Sequence, residues 1–170
     1  LGGVHAHAGS GISGEDLSAH RELVSRMGDL AREVESRVGE LEFVDVGGGF
    51  GVPYEEDEPP LDLDAVADAT REALGVSDSN DRTGDDSLDA TLAVEPGRYV
   101  VGDAGVLLTT VNTVKEARDA TVVGIDAGMT TLLRPAMYDA YHAIENLTAP
   151  ADAAEIDATV AGPICESADV

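Results

Sequence analysis

The chain has 170 residues, enough for one ordinary domain or for parts of two, with a real apolar core. Its formal charge is −24, from 34 acidic residues against ten basic ones, and Lys115 is its single lysine. A surface this negative repels phosphate-rich partners, so neither nucleic acid nor an anionic membrane face is expected to bind it.

An apolar content of 43% with clear periodicity argues against disorder for most of the chain. Dense carboxylates then read as the hydrated surface of a folded, salt-adapted protein. No apolar run is long enough to span a bilayer. The opening residues Leu1-Gly2-Gly3-Val4-His5 carry no basic segment, no cleavage pattern and no initiator Met, so the chain is expected to begin inside something larger. Cys165 is the single cysteine and has no internal disulfide partner, which fits a reducing cytoplasm. Asn146-Leu147-Thr148 fits the glycosylation acceptor pattern, here a chance match in the absence of a secretion signal.

In chain order, Val4 to Ala8 reads as a short strand. Ser13-Gly14-Glu15-Asp16 is a capping-box start. The helix after it carries apolar residues at Leu17, Val24, Met27, Ala31, Val34 and Val38, with Gly39 as its stop. Leu41 to Val46 is a second strand and runs into Gly47-Gly48-Gly49. Pro59-Pro60 marks a loop, and a second helix is expected over Asp62 to Leu74, with Leu63, Val66, Ala67, Thr70 and Leu74 on one face. Residues 76–90, rich in Asp, Ser, Gly and Asn, read as a solvated loop. Thr91 to Val94 is a third strand and leads into Glu95-Pro96-Gly97-Arg98. Alternating strands and helices predict a parallel sheet with crossover helices.

Beyond residue 98 the character changes. Tyr99 to Val101, Val106 to Val114, Thr121 to Asp126 and Thr159 to Ala161 are short β-rich runs, and Ala136 to Ile144 holds at most a turn or two of helix. The division expected is therefore an α/β part over 1–98 and an all-β part over 99–170.

Each parallel strand ends in an unusual cluster: His5-Ala6-His7-Ala8-Gly9-Ser10, Asp45-Val46-Gly47-Gly48-Gly49, and Glu95-Pro96-Gly97-Arg98. Ligands of parallel α/β folds sit at the C-terminal ends of the strands. Glycines there admit backbone N–H groups to an anion, and Ser and Arg add donors, so the three clusters together describe a phosphate cradle. Singly they say less. A lone Gly-Gly-Gly is most often a tight turn, and His5 and His7, on one face of a strand, are a metal pair or core residues. Further on, Asp126-Ala127-Gly128-Met129 leads to Arg134-Pro135-Ala136-Met137-Tyr138, which offers a carboxylate clamp and a hydroxyl donor. Gly162-Pro163-Ile164-Cys165-Glu166-Ser167 follows, with Cys165 either a reactive thiol or an inert small hydrophobe.

These five motifs, in this order, resemble the diaminopimelate decarboxylase family. The run from Val123 to His142 is close to a signature of it. The resemblance implies a pyridoxal 5'-phosphate-binding (β/α)8 barrel, represented here by about three strands, followed by a C-terminal β-domain. It implies that His7 stacks on the pyridine ring, that Ser10, Gly47, Gly48, Gly49 and Gly97 line the phosphate, and that Glu95 pairs with the pyridine nitrogen. It places Arg98, Arg134 and Tyr138 on the amino-acid substrate, with Arg98 also beside the phosphate. Cys165 becomes the proton donor and Glu166 the partner of the substrate's distal amino group. Both would reach into a partner subunit, which implies a homodimer.

Two family features have no counterpart. Lys115, within Asn112-Thr113-Val114-Lys115-Glu116-Ala117, matches no Schiff-base lysine motif, and the late active-site tyrosine expected beyond Cys165-Glu166 is absent. The chain alone is therefore expected to be incompetent, as a degenerate fragment would be. Ornithine, arginine or carboxynorspermidine decarboxylases of the same fold are the enzyme alternative. The Arg134–Tyr138 run and Glu166 after Cys165 favour diaminopimelate over them. A non-catalytic pyridoxal-phosphate-binding protein is a single barrel, which the sequence after residue 98 disfavours.

Overall fold

The computed structural model describes residues 2–12, 17–75, 88–117, 120–150, 152–154 and 156–170. These divide into two compact units, Leu1–Gly105 and Val106–Val170. The capping box at 13–16 and most of the acidic loop, 76–87, lie outside the described residues.

The first unit holds strands β1 (Gly3–His5), β2 (Phe43–Gly48) and β3 (Thr91–Glu95), with helices α1 (Ser18–Val38) and α2 (Leu63–Leu74) between them. The strands form one parallel sheet in the order β1-β2-β3, as the alternation of elements requires. Both strand runs lie slightly off the expected positions, β1 earlier and β2 later in the chain. Polar backbone at the Gly47-Gly48 end still pairs with its neighbour, so the ladder continues past the apolar residues.

Helix α1 buries Val24, Met27 and Ala31 against Val44 and Val46 of β2, and Leu41 and Leu74 complete this core. The middle of the apolar stripe thus does what its spacing predicts, whereas Val38 at the end of the helix is 58% exposed. Gly28 lets α2 approach: a Cβ there would collide with the Ala73 carbonyl, to which the Arg32 guanidinium donates at 3.3 and 3.2 Å.

Helix α2 buries three residues of its expected face, Val66, Thr70 and Leu74, but is rotated slightly so that Ala69 joins them. Leu63 is 46% exposed and Ala67 only partly covered. Thr70 goes inward because its hydroxyl bonds Val66 O at 2.7 Å and meets His20 Nε2 at 2.9 Å. Asp62 caps the helix by accepting Ala65 N–H at 2.9 Å, and Gly75 closes it in the left-handed conformation. Leu88, assigned from composition to the solvated loop, is instead a core residue, 6% exposed.

The second unit is a three-stranded sheet in the order β4-β5-β6, from β4 (Val111–Ala117), β5 (Ala120–Ile125) and β6 (Ala158–Ala161). The β4–β5 pair is antiparallel and the β5–β6 pair parallel. One expected strand is absent: Tyr99 to Val101 lies at the end of a 3-10 turn, Gly97–Val100, started by the fixed φ of Pro96. The run expected over Val106–Val114 is realised later in the chain, as β4 from Val111 to Ala117. The short helix α3 (Arg134–Tyr138) begins two residues before the expected turn, with Pro135 in its first turn, and ends on Asp139 at φ 51°.

Candidate functional site

Residues His7, Ser10, Gly49, Phe50, Glu95, Pro96, Gly97 and Arg98 line one pocket of about 220 Å³ at the C-terminal edge of the parallel sheet. All three strand-end clusters therefore converge, from positions as far apart in sequence as His7 and Arg98. Sequence reasoning did not single out Phe50 and Pro96. Phe50 is fixed by edge-on contacts with His20 at 6.4 Å and Tyr99 at 6.3 Å between ring centres.

The glycine run builds the pocket by close backbone approach. Gly49 O accepts from Gly11 N at 3.0 Å and Ile12 N at 2.9 Å, and Gly51 N donates to Ile12 O at 2.8 Å. These bonds hold the Gly9–Ile12 loop, and Ser10 with it, over the end of β2. A Cβ at Gly49 would collide with the Gly9 carbonyl, and one at Gly48 with the Glu95 carbonyl. Gly47 and Gly49 also adopt φ values of 71° and 89°, which favour glycine. Gly47 and Gly48 are buried behind the pocket rather than on its wall, where they let the strand ends meet.

His5 and His7 are both exposed, so neither is a core residue. His7 lies past the end of β1, and its Nδ1 accepts the Gly48 N–H at 3.2 Å, which sets the direction of the ring. Arg98 stacks its guanidinium over the Tyr54 ring at 5.7 Å from the centroid. Beside the pocket, donor atoms of His5, Asp45 and Glu95 all lie within 4.8 Å of one another. They are of metal-ligand type, but all three already have hydrogen-bond partners. His5 Nε2 meets Glu95 Oε2 at 3.0 Å, and Asp45 Oδ1 accepts the Gly47 N–H at 2.8 Å.

The donor set fits pyridoxal phosphate. A hydroxyl (Ser10), an open glycine backbone (Gly97, with nothing within 4 Å of its Cβ position) and a guanidinium (Arg98) suit a phosphate dianion. The Glu95 carboxylate suits a protonated ring nitrogen, and the His7 imidazole suits the face of an aromatic ring.

In the second unit, Arg134 and Tyr138 stand four residues apart on α3, one turn along the same side. Arg134 Nη1 lies 3.0 Å from His142 Nε2, and Tyr138 is 69% exposed. Cys165 and Glu166 are exposed on the loop after β6, and the Cys165 thiol is free. That loop is anchored by a residue the sequence reading passed over. Asp169 is buried, and its carboxylate accepts the Met129 N–H and, at 2.9 Å, the Ile164 N–H, while its backbone carbonyl accepts Gly162 N–H at 2.8 Å. A Cβ at Gly128 or Gly162 would overlap the Asp169 carboxylate, so both glycines make room for it. Asp126, from the same turn as Gly128, accepts from Thr109 Oγ1 at 2.6 Å and Thr110 N at 2.8 Å, and these bonds hold its carboxyl below the usual carboxylate range.

Two family models match the chain: the pyridoxal-binding domain of the pyridoxal-dependent decarboxylases over residues 1–102, and their C-terminal sheet domain over residues 52–170. The chain belongs to the pyridoxal-dependent decarboxylases. The cofactor that the resemblance implied is the cofactor of this family. The chain is 43% identical to the diaminopimelate decarboxylase of Methanothermobacter thermautotrophicus over 99% of its own length and 38% of that protein's. The crystal structure of Helicobacter pylori diaminopimelate decarboxylase complexed with L-lysine superposes with a TM-score of 0.80 at 36% identity, over 98% of this chain and 38% of that one. The Vibrio vulnificus lysine/ornithine decarboxylase shares the fold alone, with a TM-score of 0.76 at 23% identity over 99% of this chain and 42% of that one. The chain thus spans about two-fifths of the length of these relatives. Among the described residues no helix is long and apolar enough to cross a membrane.

Proposed function

We propose that the protein to which this chain belongs decarboxylates meso-diaminopimelate to L-lysine and CO2, as a homodimer in the cytoplasm. The observation that carries this is the single pocket where His7, Ser10, Gly49, Glu95, Gly97 and Arg98 meet, within a chain 43% identical to a diaminopimelate decarboxylase. The substrate carries a carboxylate and an ammonium at its distal end. A site that selects it must satisfy both, because an unpaired buried charge is costly.

On this reading residues 1–98 hold the cofactor and residues 99–170 supply the substrate and proton-donor groups. When bound, pyridoxal phosphate supplies an electron sink for the carbon that loses CO2. Ser10, the Gly49 and Gly97 backbone and Arg98 would hold its phosphate, His7 would cover the ring, and Glu95 would keep a proton on the ring nitrogen, while Gly47 and Gly48, expected on the phosphate, stand behind the pocket with their N–H groups bonded to Asp45 and His7. Arg134 and Tyr138 bind a carboxylate of the substrate, with Arg98 between substrate and phosphate, and Glu166 binds the distal ammonium. Cys165 delivers a proton from Sγ to the carbon that has lost CO2. Lys115 lies exposed on β4, and the lysine that attaches the cofactor is assigned to another part of the protein. Exposed apolar residues of the second unit, including Val106, Leu108, Val114 and Ile144, support a further protein surface against it.

The test uses the full-length protein. Glu166→Ala lowers kcat/KM for diaminopimelate by roughly 30- to several-thousand-fold while pyridoxal phosphate stays bound. Cys165→Ala lowers kcat with little change in KM. Mixing Cys165→Ala with a variant lacking the cofactor-attaching lysine restores part of the activity through hybrid dimers. Normal turnover by Glu166→Ala, or ornithine as the better substrate, overturns the assignment.

A further inference from the structure

The pocket explains Glu95 but leaves His5 outside it. His5 ends β1 directly opposite Asp45 of β2 in the parallel register. Between Asp45 and Gly48, three residues of β2 span only two of β3, a bulge that brings Glu95 level with Gly48. The outcome is one imidazole and two carboxylates at the sheet edge, with donor atoms within 4.8 Å of one another. Asp45 is already fixed by the Gly47 N–H at 2.8 Å. Glu95 has no comparable backbone donor among the described residues, and its contact is His5 Nε2 at 3.0 Å.

We propose that His5 is a positioning residue for the pyridoxal-phosphate ring nitrogen: it donates Nε2–H to one oxygen of Glu95 and so holds the other oxygen toward the pocket. A bare Nε2 lone pair facing a carboxylate would be repelled at this distance, so Nε2 carries the hydrogen. Oxygens of Glu95 and Asp45 lie within 4.8 Å of each other, and the His5 N–H offsets their repulsion; without it Glu95, on a flexible stem, turns away. Both side chains are about half exposed, so the contact acts on orientation and contributes little to stability. The inference rests on the assignment of the pocket to pyridoxal phosphate.

The test uses the full-length holoenzyme loaded with cofactor labelled with 15N at the ring nitrogen. Its chemical shift reports whether that nitrogen is protonated, and a fluorescence titration gives the cofactor dissociation constant. In the wild type the nitrogen is protonated. His5→Leu and His5→Ser, neither of which can donate at that reach, move the shift to the unprotonated position and weaken cofactor binding roughly tenfold. His5→Gln, whose amide nitrogen has about the reach of Nε2, restores both. Circular dichroism checks that each variant folds, and the Ser and Gln variants carry the comparison if His5→Leu does not. A folded loss variant with the wild-type shift and affinity overturns the role of His5 and leaves the cofactor pocket standing. A wild type that binds no pyridoxal phosphate overturns the pocket assignment, and this inference with it.

Discussion

Asp169 is the most demanding test of how the second unit presents Cys165 and Glu166. Its carboxylate, 3% exposed, accepts two backbone N–H groups from segments 35 residues apart, at Met129 and Ile164. Asp169→Ala strands both donors. A buried donor that loses its acceptor costs about 1–3 kcal/mol, more when the acceptor is charged. Here water reaches the Ile164 side, whose residue is 41% exposed, so the lower half of the range applies and the pair costs about 2–4 kcal/mol. At 1.4 kcal/mol per tenfold, the amides of the 128–131 and 162–166 segments should exchange roughly 30- to 700-fold faster. Hydrogen exchange read by mass spectrometry on peptides covering those segments measures this locally, free of the rest of the protein. Asp169→Asn keeps a carbonyl acceptor and should fall in between. Both variants should also lose kcat/KM, because the loop that carries Cys165 and Glu166 is no longer held. Unchanged exchange in both segments of Asp169→Ala would refute the clamp.

His20 gives a pH signature. Thr70 Oγ1 donates to Val66 O, so His20 Nε2 must be the donor to it, and the buried Nδ1 has no partner among the described residues. Burial, with the nearby Arg21 charge adding to it, holds the native pKa below the ordinary 6.5. The unfolded chain then binds the extra proton first, so stability falls as pH drops below about 6.5 and is unaffected above it. Thermal melts should show wild type losing ground to His20→Leu on the acid side only; parallel curves from about pH 5 to 8 would disprove this. Gly48→Ala should weaken pyridoxal-phosphate binding at least roughly tenfold, because the new Cβ meets the Glu95 carbonyl. Gly105→Ala, in extended backbone with open space around it, should bind as wild type in the same titration. The charge of −24 predicts a melting temperature that climbs from low to molar KCl, and a flat series would remove the salt-adaptation reading.

The sequence by itself carried the order of strands and helices, because apolar spacing depends on local geometry. The stripe Val24, Met27, Ala31 had to face a core, and alternating strands and helices had to give a parallel sheet. It also carried the chemistry of the strand ends, since Ser10, Glu95 and Arg98 are recognisable by type and motif. Tertiary structure decided what depends on contacts distant in sequence. The face of α2 shifted, leaving Leu63 46% exposed and burying Ala69, and the Thr70 hydroxyl found its partner in His20, 50 residues away. Pro96 replaced an expected strand by a 3-10 turn, and Leu88 left a polar loop for the core. His5 and Asp169 show the limit most clearly. In the sequence His5 reads only as a metal-pair or core candidate, and Asp169 carries no signal at all. Each acquires its place only where a bulge aligns Glu95, or where Gly128 and Gly162 leave room for a carboxylate, and no local pattern encodes the distance between such groups.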